Sequence, residues 1–271
     1  MKVLCGTDFT PAADAAVEAA RLLVERRGGT LRVVHVEDRG ERELESEAVR
    51  RAPDVARLRG HPDEAIVAEA ERIQADLVVV GALGRRERPR WRLGSTADRI
   101  AQQSSCPVLV VRDADPFRRW VRHERPLRIS VGLDTTAASE DLVHTLSQIT
   151  ATGGCSLIGV HVYWPPEARE RLHVAGGLPV GEGNPEVDAA IEKELRDRIL
   201  SRSPEMPIDL RIVGGLGRIA DHLIQVAEEV EADVLAVGSH KRGGFDRLWH
   251  GSVSQGVLES APMSVLCVPW R

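Results

Sequence analysis

A chain of 271 residues with 42% hydrophobic content is long enough for two ordinary domains, each with its own core. Acidic residues outnumber basic ones by 41 to 36, and the net charge of -5 argues against the positive field that wraps nucleic acid. Aromatic residues make up 3% of the chain, too few for the stacking platforms of single-strand binders.

The sequence also lacks the signals of export and membrane insertion. No apolar run approaches the roughly 20 residues that span a bilayer, and Met1-Lys2-Val3-Leu4 leads into a strand without a cleavable signal pattern. The cysteines are far apart in sequence and form no CxxC pair: Cys5, Cys106, Cys155 and Cys267. We expect a cytoplasmic protein with buried, inert cysteines and no nucleic-acid or membrane partner.

The first half of the chain alternates between predicted strands and helices. Strands are predicted at about 2–7, 31–36, 54–59, 76–81 and 107–112, and helices at about 11–27, 41–51, 62–74 and 95–104. Thr10 as N-cap and Pro11 in the first turn begin the first helix, and Gly28-Gly29 end it. The strands are continuous Val/Leu runs, which is typical of parallel strands buried on both faces. This pattern predicts a doubly wound α/β domain.

The second half repeats the first. Gly6-Thr7-Asp8 and Val34-His35-Val36 recur 126 residues later as Gly132-Leu133-Asp134 and Val160-His161-Val162. Asp76, Gly81, Gly94 and Ser95 recur 157 residues later as Asp233, Gly238, Gly251 and Ser252. The difference of 31 residues between the two offsets places an insertion between the second and third strands of the second copy.

The repeat predicts two tandem domains, 1–113 and 127–271, joined by a linker at 114–126. The linker region is charged, contains Pro116 and shows no helix or strand periodicity.

The insertion covers about 164–200. It contains Pro165-Pro166 and several glycines, so we expect a loop in its first part. A helix is predicted from about Pro185 to Leu200.

A glycine pattern follows the fourth strand of the first half. Gly81 and Gly84 are followed, after nine residues, by Gly94-Ser95-Thr96 at the start of a helix. Glycine lets backbone N–H groups approach a phosphate closely, and a helix N-terminus favours an anion. The pattern predicts a phosphate cradle; the alternative is a set of turn glycines with Ser95 as a simple N-cap.

Asp8 is predicted to face the same crevice. In a doubly wound sheet of strand order 3-2-1-4-5, ligands bind where the order reverses, beyond the carboxyl ends of strands one and four. Asp8 ends strand one and Gly81 ends strand four. Asp8 could accept a hydrogen bond from a ribose hydroxyl or an adenine amino group, and the backbone at Val36 could read the adenine edge.

The pattern Gly-x2-Gly-x9-Gly-Ser/Thr, after an opening strand ending in Gly6-Thr7-Asp8, resembles the ATP-binding class of the universal stress protein family. The resemblance covers nearly the whole chain and implies two tandem adenine nucleotide alpha hydrolase-like domains. It implies ATP, with or without Mg²⁺, as the cofactor, with Asp8 and Val36 on the adenosine side. It also implies that the remaining residues of the pattern bind the phosphates: Gly81, Gly84, Gly94, Ser95 and Thr96.

The resemblance further implies that the two domains pair through their last strands. Within one chain this joins Pro107–Val111 to Ser264–Val268 and makes an intramolecular pseudo-dimer. The resemblance leaves open whether two tandem chains form a homodimer.

The second copy departs from the pattern at Lys241, which stands where the family has its second glycine. A β-carbon there obstructs backbone approach if the position needs positive φ, although the ammonium of Lys241 could reach a phosphate itself. We expect reduced or absent ATP binding in this weaker second site, whose residues are Asp134, Val162, Gly238, Lys241, Gly251 and Ser252.

The other polar groups carry less information. The arginine-rich loop 85–92 is either a solvated loop or a source of phosphate-neutralising guanidinium groups. His35 and His161 occupy equivalent strand positions and are predicted to be structural. Four other histidines show no metal-ligand spacing, and a zinc site assembled in space is not inferable from them: His173, His222, His240 and His250. We assign no catalytic residue and no metal ligand.

Three functions fit these observations. The first is a regulatory module of the stress response that binds ATP and reports its state to an unidentified protein partner. The second is a slow ATPase or nucleotidyl-transferring enzyme, although the sequence shows no P-loop Lys/Ser pair. The third is an interaction module whose crevices are vestigial.

We expect Lys241→Gly to create a second equivalent of bound nucleotide per chain, because it removes the β-carbon that obstructs the second cradle. Calorimetric titration with ATP measures the stoichiometry, with Gly84→Val as the variant expected to abolish binding at the first site. An unchanged stoichiometry in Lys241→Gly would show that this position did not close the second site.

Overall fold

A computed structural model describes residues 1–37, 54–83, 93–172, 184–202, 206–239 and 251–270, and the structural statements below concern these residues. The strands are β1 Lys2–Gly6, β2 Thr30–Glu37, β3 Ala56–Arg59, β4 Leu77–Gly81, β5 Val108–Val111, β6 Leu127–Gly132, β7 Cys155–Tyr163, β8 Ile208–Gly214, β9 Val234–Ser239 and β10 Ser264–Pro269. The helices are α1 Pro11–Arg27, α2 Pro62–Ile73, α3 Ser95–Gln103, α4 Asp115–Val121, α5 Ala137–Thr150, α6 Pro165–Leu172, α7 Pro185–Arg198, α8 Ile219–Glu229 and α9 Gly251–Ser260.

The described strands form one continuous sheet in the order β3-β2-β1-β4-β5-β10-β9-β6-β7-β8. Each half has the predicted order 3-2-1-4-5, and its strands are parallel. The halves join where β5 pairs with β10 in antiparallel fashion, with Val110 opposite Val265. The predicted doubly wound fold and the predicted pairing of the last strands are therefore confirmed.

The first helix begins and ends as the sequence predicts. The Oγ1 of Thr10 accepts a hydrogen bond from the N–H of Ala13 at 3.3 Å, and Gly28 ends the helix with φ 76°. Left-handed backbone of this kind favours glycine. The buried face of the helix consists of small or aliphatic residues, which let it pack closely on the sheet: Ala13, Ala16, Ala19, Ala20 and Leu23.

Two hydrophobic layers cover the faces of the sheet, and each runs through both halves. Successive residues of β1 alternate between them, with Val3 and Cys5 in one layer and Leu4 in the other. The first layer includes residues of α1 and α5, and the second includes residues of α3 and α9. Because the strands are buried on both faces, their sequences are continuous apolar runs rather than alternating ones.

The segment predicted to be the linker contains a helix, α4, which its sequence did not predict because the segment shows no periodicity. Phe117 and Trp120 are 1% and 2% exposed. Arg118 forms an ion pair with Glu18 of α1, and this contact lowers the pKa of the Glu18 carboxyl. The guanidinium of Arg26 lies 5.5 Å from the centroid of the Trp120 ring. A seven-residue helix with two buried side chains is too short to show a period, yet it is firmly packed.

The start of the insertion, Pro165–Leu172, is helical, in contrast to the predicted loop, and the rest of that predicted loop, 173–183, lies outside the described residues. Pro165 and Pro166 occupy the first turn of α6, where no backbone N–H is needed for the helix. The predicted helix from Pro185 is observed as α7. Its buried side chains, Val187, Ile191 and Leu195, join the hydrophobic layer beneath.

Several predictions fall outside the described residues. These are the helix at 41–51, Gly84, the arginine-rich loop 85–92 and Lys241.

We expect Phe117→Ala to lower the free energy of unfolding by about 3–5 kcal/mol, because it leaves a cavity in the core beneath α4. The exposed residue Arg122 of the same segment offers the control Arg122→Ala, which should change stability by less than about 0.5 kcal/mol. Denaturant unfolding followed by tryptophan fluorescence and circular dichroism measures both. Equal effects of the two substitutions would mean that α4 is not a packed element.

Candidate functional site

The strand order of the first half reverses between β1 and β4. In doubly wound sheets the ligand crevice lies at this point, beyond the carboxyl ends of the two strands. The last paired residues are Cys5 and Val79. Asp8 and Gly81 lie shortly beyond them. The N–H of Gly94 donates to the carbonyl of Ala82 at 2.7 Å, which brings the start of α3 beside the end of β4. The predicted residues on β1, β4 and α3 thus meet at one edge of the sheet.

The loop after β1 is fixed by its own side chains. The Oδ1 of Asp8 accepts hydrogen bonds from the N–H and the Oγ1 of Thr10, at 3.2 and 2.6 Å. Phe9 adopts φ 58°, an uncommon conformation for a bulky residue, and its N–H donates to the Oγ1 of Thr7 at 3.1 Å. Strained backbone of this kind concentrates at ligand-binding loops, and no residue type in the sequence signalled it.

A histidine supports this loop from the neighbouring strand. The Nδ1 of His35 lies 2.8 Å from the carbonyl of Thr7, and its ring centroid lies 4.9 Å from that of Phe9. His161 makes the equivalent contact with the carbonyl of Leu133 at 2.8 Å. Because a carbonyl only accepts, each Nδ1 must carry the proton. Both histidines therefore have the structural role that their repeat positions suggested.

Gly81 is required for a reason that the sequence motif did not reveal. A β-carbon at this position would lie 2.7 Å from the carbonyl oxygen of Ala12 and 3.0 Å from the backbone nitrogen of Ala13. The end of β4 therefore packs directly on the backbone of α1. At Gly238, the equivalent position, the nearest atom is the β-carbon of Ala138 at 3.4 Å, an ordinary contact. The glycine motif predicted that Gly81 lets a phosphate come close to the backbone. In the structure, Gly81 instead lets the end of β4 come close to the backbone of α1.

The N-terminus of α3 lies at the end of β4 and begins with the predicted Gly94-Ser95-Thr96. Its N-cap is Gly94, which has no side chain to bond to the first-turn N–H groups, and Ser95 and Thr96 follow in the first turn. Ser95 is exposed and Thr96 is half-buried. Unpaired N–H groups and the helix dipole favour an anion here, and the hydroxyls add donors.

Val36 presents backbone rather than side chain at this edge. Its side chain is 7% exposed. It lies two residues beyond Val34, where the pairing of β2 with β1 ends at Gly6. The predicted reading of a ligand by the backbone at Val36 is compatible with this position.

The second crevice differs from the first at a residue that sequence reasoning missed. The Oδ1 of Asp134 accepts from the N–H and Oγ1 of Thr136, at 2.9 and 2.6 Å, and also from the Oγ of Ser139 at 2.8 Å. Ser139 corresponds to Ala13 of the first half, so the repeat offset alone could have revealed the difference. The hydroxyl of Ser139 thus contacts Asp134 where the first half has the methyl side chain of Ala13.

The other predicted residues of the second crevice lie at the corresponding elements. Val162 is half-buried in β7, Gly238 lies in β9, and Gly251 begins α9. The side chain of Ser252 lies outside the described residues.

Cys5, Cys106 and Cys267 are buried as predicted, whereas Cys155 is partly buried. Burial raises the pKa of Cys5 and Cys267 to about 12 and that of Cys155 to about 11. The thiolate is the reactive species, and these values keep it scarce at neutral pH.

In the part of the chain that the structure describes, no three His, Cys, Asp or Glu side chains are grouped so as to hold a metal ion. None of the helices in these segments has the length and apolar character to cross a membrane.

Comparison with known protein families shows which family the chain belongs to. The model of the universal stress protein family matches residues 37–112 and 127–269. The chain belongs to this family. A universal stress protein of Mycobacterium bovis is 31% identical over 196 residues, which cover 71% of this chain and 61% of that relative. The chain thus spans less than two thirds of that relative's length.

Other universal stress proteins match the full length of the chain. One from Mycobacterium tuberculosis is 26% identical over 297 residues, covering 97% of this chain and 95% of the relative. The crystal structure of a universal stress protein from Archaeoglobus fulgidus superimposes with a TM-score of 0.68 at 15% identity. It covers 100% of this chain and 98% of that one. The likeness shows that the tandem fold is shared.

We expect Gly81→Ala to destabilise the protein by about 1–3 kcal/mol, because the added β-carbon meets rigid backbone of α1. Gly238→Ala is the matched control and should cost less, since its added atom makes only ordinary contact with Ala138. Thermal unfolding of both variants measures the difference. Equal losses at the two positions would contradict the close packing of β4 on α1.

Proposed function

We propose that the crevice of the first half binds an adenine nucleotide, with ATP as the physiological ligand, and that this universal stress protein acts as a regulatory nucleotide-binding module. One observation carries the proposal: the hydrogen bond from Gly94 to Ala82 that joins the start of α3 to the end of β4. It aligns an anion-binding helix terminus with the Asp8 loop at the point where strand order reverses.

Each part of the crevice has a role in this proposal. The first-turn N–H groups of α3 and the hydroxyls of Ser95 and Thr96 hold the phosphates. Asp8 accepts a hydrogen bond from the ribose or the adenine, and the backbone at Val36 lies on the adenine side. Thr10 and His35 keep the Asp8 loop in place through the contacts described above.

A divalent cation would enter this site with the nucleotide. Mg²⁺ commonly binds through substrate phosphates and water. Because Asp8 is placed on the adenosine side, the cation would be held by the phosphates of the nucleotide and by water.

A regulatory role fits these groups better than a catalytic one. The described crevice supplies N–H groups, hydroxyls and a carboxylate, which bind and orient a nucleotide. Binding also stabilises the folded state by RT ln(1 + [L]/Kd), about 2.7 kcal/mol at a hundredfold excess over Kd. Cellular ATP could therefore be sensed as a change in the order of the crevice.

Substitution of the paired aspartates tests the proposal. We expect Asp8→Ala to weaken ATP binding by about 10- to 100-fold, as the loss of a hydrogen bond to a charged acceptor does. Asp134→Ala is the matched control in the second half and should leave the main binding event unchanged. Calorimetric titration with Mg²⁺–ATP measures both variants.

Two outcomes would contradict the proposal. One is wild-type protein that neither releases nucleotide on denaturation nor binds added ATP. The other is binding that responds to Asp134→Ala and not to Asp8→Ala, which would move the site to the second half.

A further inference from the structure

A cavity of about 320 Å³ lies beside the start of β2, at the amino-terminal end of the strands of the first half. The nucleotide crevice lies at the opposite, carboxyl end of these strands. Small-molecule sites commonly have volumes of roughly 300–1,000 Å³, so this cavity suits a small ligand. We call it the β2 cavity. It is lined by one residue of α1, three of β2 and two at the start of β3: Arg21, Leu31, Arg32, Val33, Asp54 and Ala56.

The β2 cavity exists because β3 begins late. β2 pairs with β3 only from Val34 onward, which lies opposite Ala56. In the second half, β7 pairs with β8 from Leu157 onward, which corresponds to Leu31 at the offset of 126 and so lies three residues earlier in the repeat. The strand edge that β8 covers in the second half is therefore left uncovered by β3 in the first.

The backbone of β2 faces the cavity at this uncovered edge. In a parallel sheet, successive residues direct their N–H and C=O groups alternately to the two sides of the strand. The N–H of Thr30 donates to the carbonyl of Met1 at 3.0 Å, so the even-numbered residues of β2 face β1. Leu31 and Val33 therefore face the side of the cavity. Because backbone groups are strong donors and acceptors, this edge can bind a polar ligand.

One wall of the cavity is apolar. The side chains of Leu31 and Val33 pack against the hydrophobic layer that also contains residues of α1. Arg32 points to the other layer, where its Nε donates to the Oε1 of Glu69 at 2.6 Å. The charge of Arg32 is therefore already paired, and this residue contributes backbone to the cavity.

Two opposite charges complete the lining. Arg21 belongs to α1 and Asp54 precedes β3, and both side chains are exposed. Within the described part of the chain, neither has a side-chain hydrogen bond or an ion pair. Burial raises the pKa of the Cys5 thiol and the guanidinium of Arg21 lowers it, and Cys5 lies opposite Val33 in the pairing of β1 with β2. The guanidinium therefore lies near the part of the sheet that borders the cavity.

We propose that the β2 cavity binds a small zwitterion, namely an α-amino acid with an apolar side chain. The guanidinium of Arg21 binds its carboxylate, and the carboxylate of Asp54 binds its ammonium group. The apolar side chain of the ligand lies on Leu31 and Val33, and the uncovered strand edge adds hydrogen bonds to the charged groups. The proposal does not depend on nucleotide binding in the crevice.

The balance of charge favours a zwitterion over an anion or a cation. A ligand with only a negative charge would pair with Arg21 and leave Asp54 without a partner. A ligand with only a positive charge would do the reverse. An α-amino acid carries both charges close together, beside a side chain that suits the apolar wall.

Calorimetric titration with three compounds that share one side chain tests the proposal. L-leucine carries both charges, L-leucinamide lacks the carboxylate, and N-acetyl-L-leucine lacks the ammonium group. We expect wild-type protein to bind leucine about 10- to 100-fold more tightly than either analogue, because each analogue loses hydrogen bonds between charged groups.

Variants of the two charged residues identify which group binds which end of the ligand. Arg21→Gln should weaken leucine binding by about 10-fold or more and make leucine and leucinamide bind alike, because the carboxylate has lost its partner. Asp54→Asn should do the same for leucine and N-acetyl-leucine. Glu25→Gln removes an exposed charge one turn further along α1 and is the matched control, which should bind leucine like wild type. All three variants should keep the wild-type melting temperature, since these side chains are exposed.

Two results would overturn the proposal. One is wild-type protein that binds none of leucine, valine and methionine at concentrations up to about 10 mM. The other is a preference for leucine over leucinamide that persists unchanged in Arg21→Gln, which would place the carboxylate elsewhere.

Discussion

The antiparallel pairing of β5 with β10 is the contact on which the rest of the molecule depends. It converts two five-stranded parallel sheets into one sheet and continues both hydrophobic layers through the chain. Arg112 reinforces it, because its N–H donates to the Oγ of Ser264 and its guanidinium donates to the carbonyl of Leu258. The strands of the two halves run in opposite directions, so their carboxyl ends lie on opposite sides of the sheet. The two crevices, which lie at those carboxyl ends, therefore open on opposite sides as well.

Much of this arrangement could be predicted from the sequence. The continuous apolar runs and the internal repeat predict the number and the parallel direction of the strands, because each depends on short-range chemistry or on comparison of the two copies. The order 3-2-1-4-5 is the order of the fold that the family resemblance implies. The convergence of Asp8 with Gly81 follows from strand order alone.

Other features depend on contacts that residue types do not reveal. The α4 helix is held by Phe117 and Trp120 in a core built mostly by distant segments, so no local period predicts it. The pair Pro165-Pro166 indicates the end of a strand, but it is compatible with either a loop or the first turn of a helix after it. The pair therefore could not predict α6. The φ of Phe9 and the contact of Gly81 with α1 are properties of packing, and the glycine motif suggested a different reason for Gly81.

The packed helix α4 has a consequence for how the two halves can evolve. Separate subunits would meet at a rate set by their abundance, whereas a short, anchored connection holds the halves together at any dilution. Two identical subunits must also change together, because every substitution appears on both sides of their interface. Halves joined in one chain are free of that requirement. One half can keep Gly84 while the other acquires Lys241 and Ser139, so that a symmetric architecture supports two different sites.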